Sequence, residues 1–183
     1  MQKFTFLILF LSCNLSYAQN ISSDNYDRKQ MNKALSQEIL EFRNAVNLPE
    51  IEINDVLKLA ANHHTTYMTR STIVSHYQEM NLPRFNNINT PKERIKYFAG
   101  DLFEEQNKYA EICLGISVKD AASYQEIAES IIKNIIDSEN LALLHNGEVR
   151  HMGVDVQNKK NMYFVTIKMG MGYNNIIAFK DDK

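Results

Sequence analysis

The chain has 183 residues, of which 44% are hydrophobic, and a formal net charge of −2. This length fits one domain that can bury a hydrophobic core without disulfides or structural metals. The mildly acidic balance and the lack of a cluster of lysines and arginines argue against a phosphate-binding track, so we expect no nucleic-acid partner.

The first 18 residues resemble a secretory signal peptide. Residues 1–3 carry a positive charge, residues 4–11 are mostly apolar, and small residues precede a cleavage position after Ala18. The apolar run is far shorter than the roughly 20 residues that span a bilayer, so we expect no transmembrane span. We predict a mature chain that begins at Gln19 and is secreted or periplasmic. The alternatives are a buried N-terminal helix and lipid anchoring at Cys13, where residues 10–13 resemble a bacterial lipobox.

The spacing of apolar residues predicts alternating helices and strands after a flexible leader at residues 19–27. In chain order we predict a helix over 28–46, a strand over 50–53, a helix capped by Asn54 or Asp55, a short helix from Pro91 to Gly100, a strand over 108–116, a helix over 123–136, and strands over 152–156, 162–169 and 174–180. This order indicates an α/β fold, in which a mixed sheet is covered by helices on both faces. We expect strands 152–156 and 162–169 to pair as an antiparallel hairpin at the centre of the sheet or next to it. Helices 28–46 and 123–136 should cover opposite faces of the sheet.

The predicted strand at 108–116 carries two residues of chemical interest. Glu111 interrupts an apolar run, and a buried carboxylate is costly unless a partner compensates its charge, although a solvent-facing position would also explain it. Cys113 cannot form an intrachain disulfide once Cys13 leaves with the signal peptide. Its apolar neighbours indicate a small buried hydrophobic residue rather than a reactive thiol.

Several short motifs occur in an order that resembles the CAP superfamily, the cysteine-rich secretory, antigen five and pathogenesis-related proteins, which are called SCP domains in bacteria. The motifs are Arg43 to Pro49, Ala60-Ala61 with His64 and Met68, Ser75-His76, Thr90-Pro91 with Arg94 and Gly100, Tyr109 to Ile112, and Gly153-Val154-Asp155. The resemblance covers about residues 28–172 and implies a domain over 28–180. It implies a three-layer α-β-α sandwich with a largely antiparallel central sheet.

The resemblance also implies a surface cavity lined by two histidines and two acidic residues. The first histidine corresponds to His76 and the first acidic residue to Glu111. The second pair departs from the family pattern, because Leu141 stands where the second histidine is expected. Glu139, Asn140 and His145 are the doubtful candidates for the remaining positions. We expect His76 and Glu111 to meet, since a histidine can supply the charge that a carboxylate in an apolar strand requires.

Metal binding and catalysis find weaker support in the sequence. His63 and His64 are adjacent and therefore do not form the four-residue pair of a helical zinc site. We predict no cofactor, with weak divalent metal binding at His76 as the exception. Ser75 precedes His76 directly, and adjacent side chains rarely face each other as a nucleophile and its base must.

These observations favour a non-catalytic binding or interaction module over an enzyme, although the question of activity stays open. The expected partner is an unknown small molecule, lipid or protein outside the cytoplasm. The alternative function is an extracellular hydrolase, similar to a protease, that uses His76 and Glu111 to activate water directly or through a metal.

Overall fold

The structure is a computed structural model, and it describes residues 21–22, 24–79, 85, 88–103, 105, 107–121 and 123–171. Within these ranges the elements are α1 (Arg28–Ala45), β1 (Glu52–Ile53), α2 (Asp55–Ser71), α3 (Pro91–Ala99), a 3-10 turn (Gly100–Leu102), β2 (Lys108–Ser117), α4 (Tyr124–Ile136), α5 (Leu141–Leu144), β3 (Val149–Lys159) and β4 (Met162–Met171). None of the helices in these ranges is both long and apolar enough to cross a bilayer. The predicted signal peptide and the predicted strand over 174–180 lie outside the described residues.

Side-chain caps fix the starts of the helices. Asn54 accepts a hydrogen bond from the backbone of α2 and is therefore its N-cap, which decides between the two predicted candidates. Thr90 and Glu93 form a capping box at the start of α3, where Pro91 occupies the first turn. Ser123 caps α4 through the backbone N–H of Glu126.

The four described strands form one sheet in the order β1-β3-β4-β2. The two-residue β1 runs parallel to β3, and the β3–β4 and β4–β2 pairs are antiparallel. The predicted central hairpin is confirmed, and it is longer than predicted. Only Lys160 and Asn161 form its turn, both with positive φ (52° and 65°), as a tight hairpin with the twist of the sheet requires.

Helices cover both faces of the sheet, but not in the predicted arrangement. Helices α1 and α4 pack side by side on one face, where they share a core with alternate residues of β2, β3 and β4. Helix α2 covers the opposite face, and α3 packs against α2. The prediction that helices 28–46 and 123–136 cover opposite faces is therefore wrong. An apolar stripe shows that a helix packs against something, but it does not say on which face.

Helix α2 approaches the sheet unusually closely at Gly153 in β3. A Cβ atom at this position would overlap the backbone of Leu57 and Lys58. Glycine is therefore required here by the distance between two backbones rather than by its own φ angle. The close approach holds α2 against β3 and β4, and it fixes the position of the side chains that α2 directs toward the sheet.

Candidate functional site

Strand alternation brings an acidic and a basic side chain together beneath α2. Ile112 in β2 and Ile167 in β4 belong to the core under α1 and α4, so their neighbours Glu111 and Lys168 point to the opposite face. Glu111 lies directly across from Lys168 in the antiparallel register. The Lys168 ammonium forms an ion pair with the Glu111 carboxylate, and both side chains are almost completely buried.

A second buried cation reaches the same carboxylate from α3. The Nη2 atom of Arg94 lies 3.0 Å from each oxygen of Glu111. The guanidinium also donates to the backbone carbonyls of Asn89 (3.1 Å) and His76 (2.8 Å). Arg94 therefore joins α3 and the loop after α2 to the central strands.

His76 completes the contacts of Glu111 from that loop. Its Nδ1 atom lies 3.0 Å from Oε1 of Glu111, and 49% of its side chain is exposed. Because a carboxylate only accepts hydrogen bonds, Nδ1 carries the proton, and Nε2 holds the free lone pair when the ring is neutral. Nε2 makes no hydrogen bond within the described part of the chain, so it is the atom of this cluster that an outside molecule can reach.

The loop that carries His76 exposes large apolar side chains. Helix α2 ends at Thr72, whose left-handed backbone (φ 60°) turns the chain back toward the sheet. Ile73, Val74 and Tyr77 are 47%, 45% and 53% exposed. Val74 lies against Gly115 of β2, where a Cβ atom would overlap its side chain. Three exposed apolar side chains, Ile73, Val74 and Tyr77, thus lie within three residues of the half-exposed imidazole of His76.

His64 of α2 lies behind His76 and is completely buried. Its Nε2 donates to the carbonyl of Ser75 (2.6 Å), and its Nδ1 accepts from the amide of Gln78 (3.1 Å). These two partners fix the tautomer. Burial lowers the pKa of His64 to about 3, despite Glu111 at 3.9 Å, so the ring is neutral at physiological pH. His64 therefore anchors the loop to α2 and adds no charge.

The cluster carries more positive than negative charge. Burial raises the pKa of the Glu111 carboxyl, but the hydrogen bond from His76 and the charges of Lys168 and Arg94 outweigh it and hold the pKa well below its usual range. Burial lowers the pKa of Lys168 to about 8 against the opposing pull of Glu111, so the ammonium stays charged at neutral pH. One carboxylate thus faces two buried cations.

The arrangement disfavours both a metal ion and a cysteine nucleophile. Ligand atoms of His64, Glu111 and Cys113 lie within 4.8 Å of one another. However, both oxygens of Glu111 already contact cations, and a metal ion would sit beside Arg94 and Lys168. Burial and the neighbouring Glu111 raise the pKa of the Cys113 thiol, which keeps it protonated.

The structure brings together two of the residues that the sequence suggested for the site. The expected contact between His76 and Glu111 is present. His145 instead packs against Phe42 of α1, on the other side of the sheet, with ring centroids 5.4 Å apart. Glu139 and Asn140 lie in the turn before α5, where Asn140 bonds to Ser138. The doubtful candidates therefore do not join His76 and Glu111.

Three members of the cluster were not identified from the sequence as site residues. Lys168 and Arg94 supply the buried charges, and His64 was considered as a zinc ligand paired with His63, which the spacing argued against. The pattern of β4 contained a signal for Lys168, because Val165 and Ile167 define the core face and leave Lys168 on the side where Glu111 also points. No comparable signal existed for Arg94, whose partner lies in a different element.

Comparison with known proteins gives likenesses in structure only. No family model matches the chain, and no curated protein matches its sequence. An outer surface protein from Borrelia burgdorferi is similar at a TM-score of 0.62 and 19% identity, over 80% of this chain and 96% of that one.

Two further structures carry the name of a domain or family. An extracellular protein containing an SCP domain from Bacillus anthracis gives a TM-score of 0.58 at 14% identity, over 79% of this chain and 41% of that one. A cysteine-rich secretory protein from Staphylococcus aureus gives 0.54 at 15% identity, over 81% and 40%. This chain therefore spans about two fifths of the length of these two proteins. The likenesses, together with the mixed sheet between two helical layers, show that the chain has the α/β fold of the SCP-domain proteins.

Proposed function

We propose that the chain is an exported, non-catalytic binding module whose ligand contacts the surface around His76. The observation that supports this most directly is the division of roles within the cluster. Glu111 is buried and its charge is already compensated by Arg94 and Lys168, so it is poorly placed to abstract a proton from a substrate. His76 keeps one ring nitrogen for an outside molecule.

The surface around His76 fits an apolar ligand with a polar group. Ile73, Val74 and Tyr77 present apolar area beside the imidazole, and contiguous exposed apolar area is typical of interaction sites. The Nε2 atom would supply one directional hydrogen bond, and the contact of Nδ1 with Glu111 holds the ring in place for it. A small molecule, a lipid or a protein partner could each provide this chemistry.

Export is supported by the start of the sequence and by the proteins that share the fold. Residues 1–18 have the pattern of a signal peptide with cleavage after Ala18. The similar structures are of an outer surface protein, an extracellular protein and a secretory protein. We propose a secreted or periplasmic location, with lipid anchoring at Cys13 as the alternative. Mass spectrometry of the exported protein decides between a start at Gln19 and an acylated start at Cys13.

A fragment screen tests the proposed binding surface. Isotope-labelled protein beginning at Gln19 is titrated with small apolar compounds that carry one hydrogen-bond donor, and amide shifts are followed by NMR. We expect the binders to shift Ile73, Val74 and Tyr77, and to lose affinity in His76→Ala. The matched control is His145→Ala, which removes an exposed histidine on the other side of the sheet. Binders that act elsewhere, or that bind both variants equally, would contradict the proposal.

A hydrolase is the second candidate, because the His76–Glu111 contact resembles the orienting pair of a general base. Among the described residues near His76, Ser75 Oγ accepts from the backbone N–H of Tyr77 and Cys113 is held as a thiol, so the attacking group would be a water molecule that His76 activates. Hydrolysis is tested with casein and a nitrophenyl ester as substrates. Zinc binding is measured in parallel by calorimetric titration. We expect equal background rates for the wild type and His76→Ala. Tight one-to-one zinc binding and hydrolysis, both abolished by His76→Ala, would establish the hydrolase instead.

A further inference from the structure

A cavity of about 490 Å³ opens between α1, α2 and the β1–β3 edge of the sheet. Its wall includes Ile53 of β1 and Val154 of β3. It lies at the opposite edge of the sheet from β2, which carries Glu111. The volume is in the range of sites that enclose small organic molecules. This cavity is therefore separate from the surface around His76.

Positively charged residues surround the opening of this cavity. Lys29 and Lys33 come from the first turns of α1, and Lys58 comes from α2. Lys58 lies 3.9 Å from the carboxylate of Asp55, with both side chains exposed, and the charge of Lys29 acts on the exposed carboxylate of Asp27. Because Arg28 is paired with Asp155, the three ammonium groups face two exposed carboxylates, and the opening keeps a net positive charge.

The hydrogen-bond acceptors within the cavity are already used by the protein. Asp155 accepts from Nε (2.8 Å) and Nη2 (2.6 Å) of Arg28 and from the amide of Asn32 (2.9 Å). The Asn32 oxygen accepts from the backbone N–H of Val156 (2.8 Å). The Asn62 amide satisfies Arg28 when its oxygen faces the guanidinium, and its NH2 group is then left to donate. Ser36 donates to the Asn32 carbonyl (2.8 Å), and its hydroxyl oxygen is a neutral acceptor; the other groups that remain for a ligand are donors and cations.

We infer that this cavity binds a small organic anion with an apolar body. The apolar wall and the methylene groups of the lysines would contact the body, and Lys29, Lys33 and Lys58 would bind the anionic group. A neutral molecule of the same shape would leave the ammonium groups without a counter-charge. The site therefore selects for negative charge first and for apolar area second.

Two fluorescent probes of nearly equal shape separate these contributions. Anilinonaphthalene sulfonate carries the anionic group, and N-phenylnaphthylamine has the same ring system without it. We expect the sulfonate to bind the protein at one site with higher affinity than the neutral probe. Its affinity should fall about tenfold, equal to about 1.4 kcal/mol, in the variant Lys29→Gln/Lys33→Gln. Added salt should weaken binding of the sulfonate and leave the affinity of the neutral probe unchanged.

The matched control is Lys119→Gln/Lys133→Gln, which removes the same charge from exposed positions outside the cavity. Ile53→Asn should weaken both probes, because it changes the apolar wall alone. Urea unfolding midpoints verify that each variant is folded, and Lys33→Gln alone replaces the double variant if the latter unfolds. Equal loss of affinity in the control, equal affinity for the two probes, or binding only to anionic phosphatidylglycerol vesicles would overturn the inference.

Discussion

Removal of the carboxylate at Glu111 should cost the fold a large part of its stability. Glu111→Gln keeps the shape of the side chain but leaves Arg94 and Lys168 buried beside each other with no counter-charge. Breaking a buried ion pair in this way typically costs about 3–5 kcal/mol. The protein can limit the loss by releasing the proton of Lys168. Deprotonating a lysine whose unfolded pKa is 10.5 costs about 5 kcal/mol at pH 7. This route therefore limits the loss in free energy of unfolding to about the same range.

The assay is urea unfolding at pH 7, followed by far-UV circular dichroism. Because domains are stable by only about 5–15 kcal/mol, the midpoint of Glu111→Gln should fall steeply or the variant should not fold. Adding Lys168→Met to Glu111→Gln should restore part of the loss, since one of the two uncompensated charges is then gone. Glu105→Gln, which removes an exposed carboxylate beside Lys92 and Lys96, is the control and should hardly move the midpoint. A loss below about 1 kcal/mol for Glu111→Gln, or no recovery in the double variant, would refute the reasoning.

Three further predictions concern residues around the sheet. His64 has a folded pKa of about 3 against 6.5 unfolded, so the unfolded state takes up a proton first as the pH falls. Stability should decrease by about 1.6 kcal/mol between pH 6.5 and pH 5, and urea unfolding of His64→Gln should lack this decrease. Gly153→Ala should destabilise the fold by at least about 1–3 kcal/mol in thermal or urea unfolding, because its Cβ overlaps the α2 backbone. In the control Gly147→Ala, the new Cβ makes only an ordinary contact with Leu48, so its stability should be near that of the wild type. In native protein that begins at Gln19, the Cys113 thiol should resist Ellman's reagent, and it should react when urea is added. Rapid reaction of the native thiol would show that burial does not raise its pKa.

Much of the fold followed from local patterns. The alternation in residues 152–156 and 162–169 predicted the central hairpin, because one buried face fixes the period of a strand. The caps at Asn54, Thr90 and Ser123 are likewise local signals. Local patterns do not show which face of the sheet each helix covers. Both α1 and α4 carry an apolar stripe, and only the assembled sheet shows that they share one side.

The sequence predicted only the part of the site that follows from the chemistry of single residues. A carboxylate in an apolar strand requires a partner, and His76 is one of its partners. The requirement does not say how many partners there are, and Arg94 and Lys168 come from elements whose positions depend on the tertiary fold. His145 was a candidate because of its place in the sequence after Leu141. Its packing against Phe42 follows from the position of α5, which the sequence pattern did not define.

The contacts of Glu111 also bear on how the domain folds and opens. The carboxylate in β2 holds Arg94 of α3, Lys168 of β4 and the loop residue His76, while His64 ties that loop to α2. If α3 or the loop detached alone, the remaining charges would stay in the interior with fewer partners. Partly opened states are therefore raised in free energy relative to both the native and the fully unfolded chain. A single acidic side chain thus acts against stepwise unfolding and joins β2, β4, α3 and the loop into one cooperative unit.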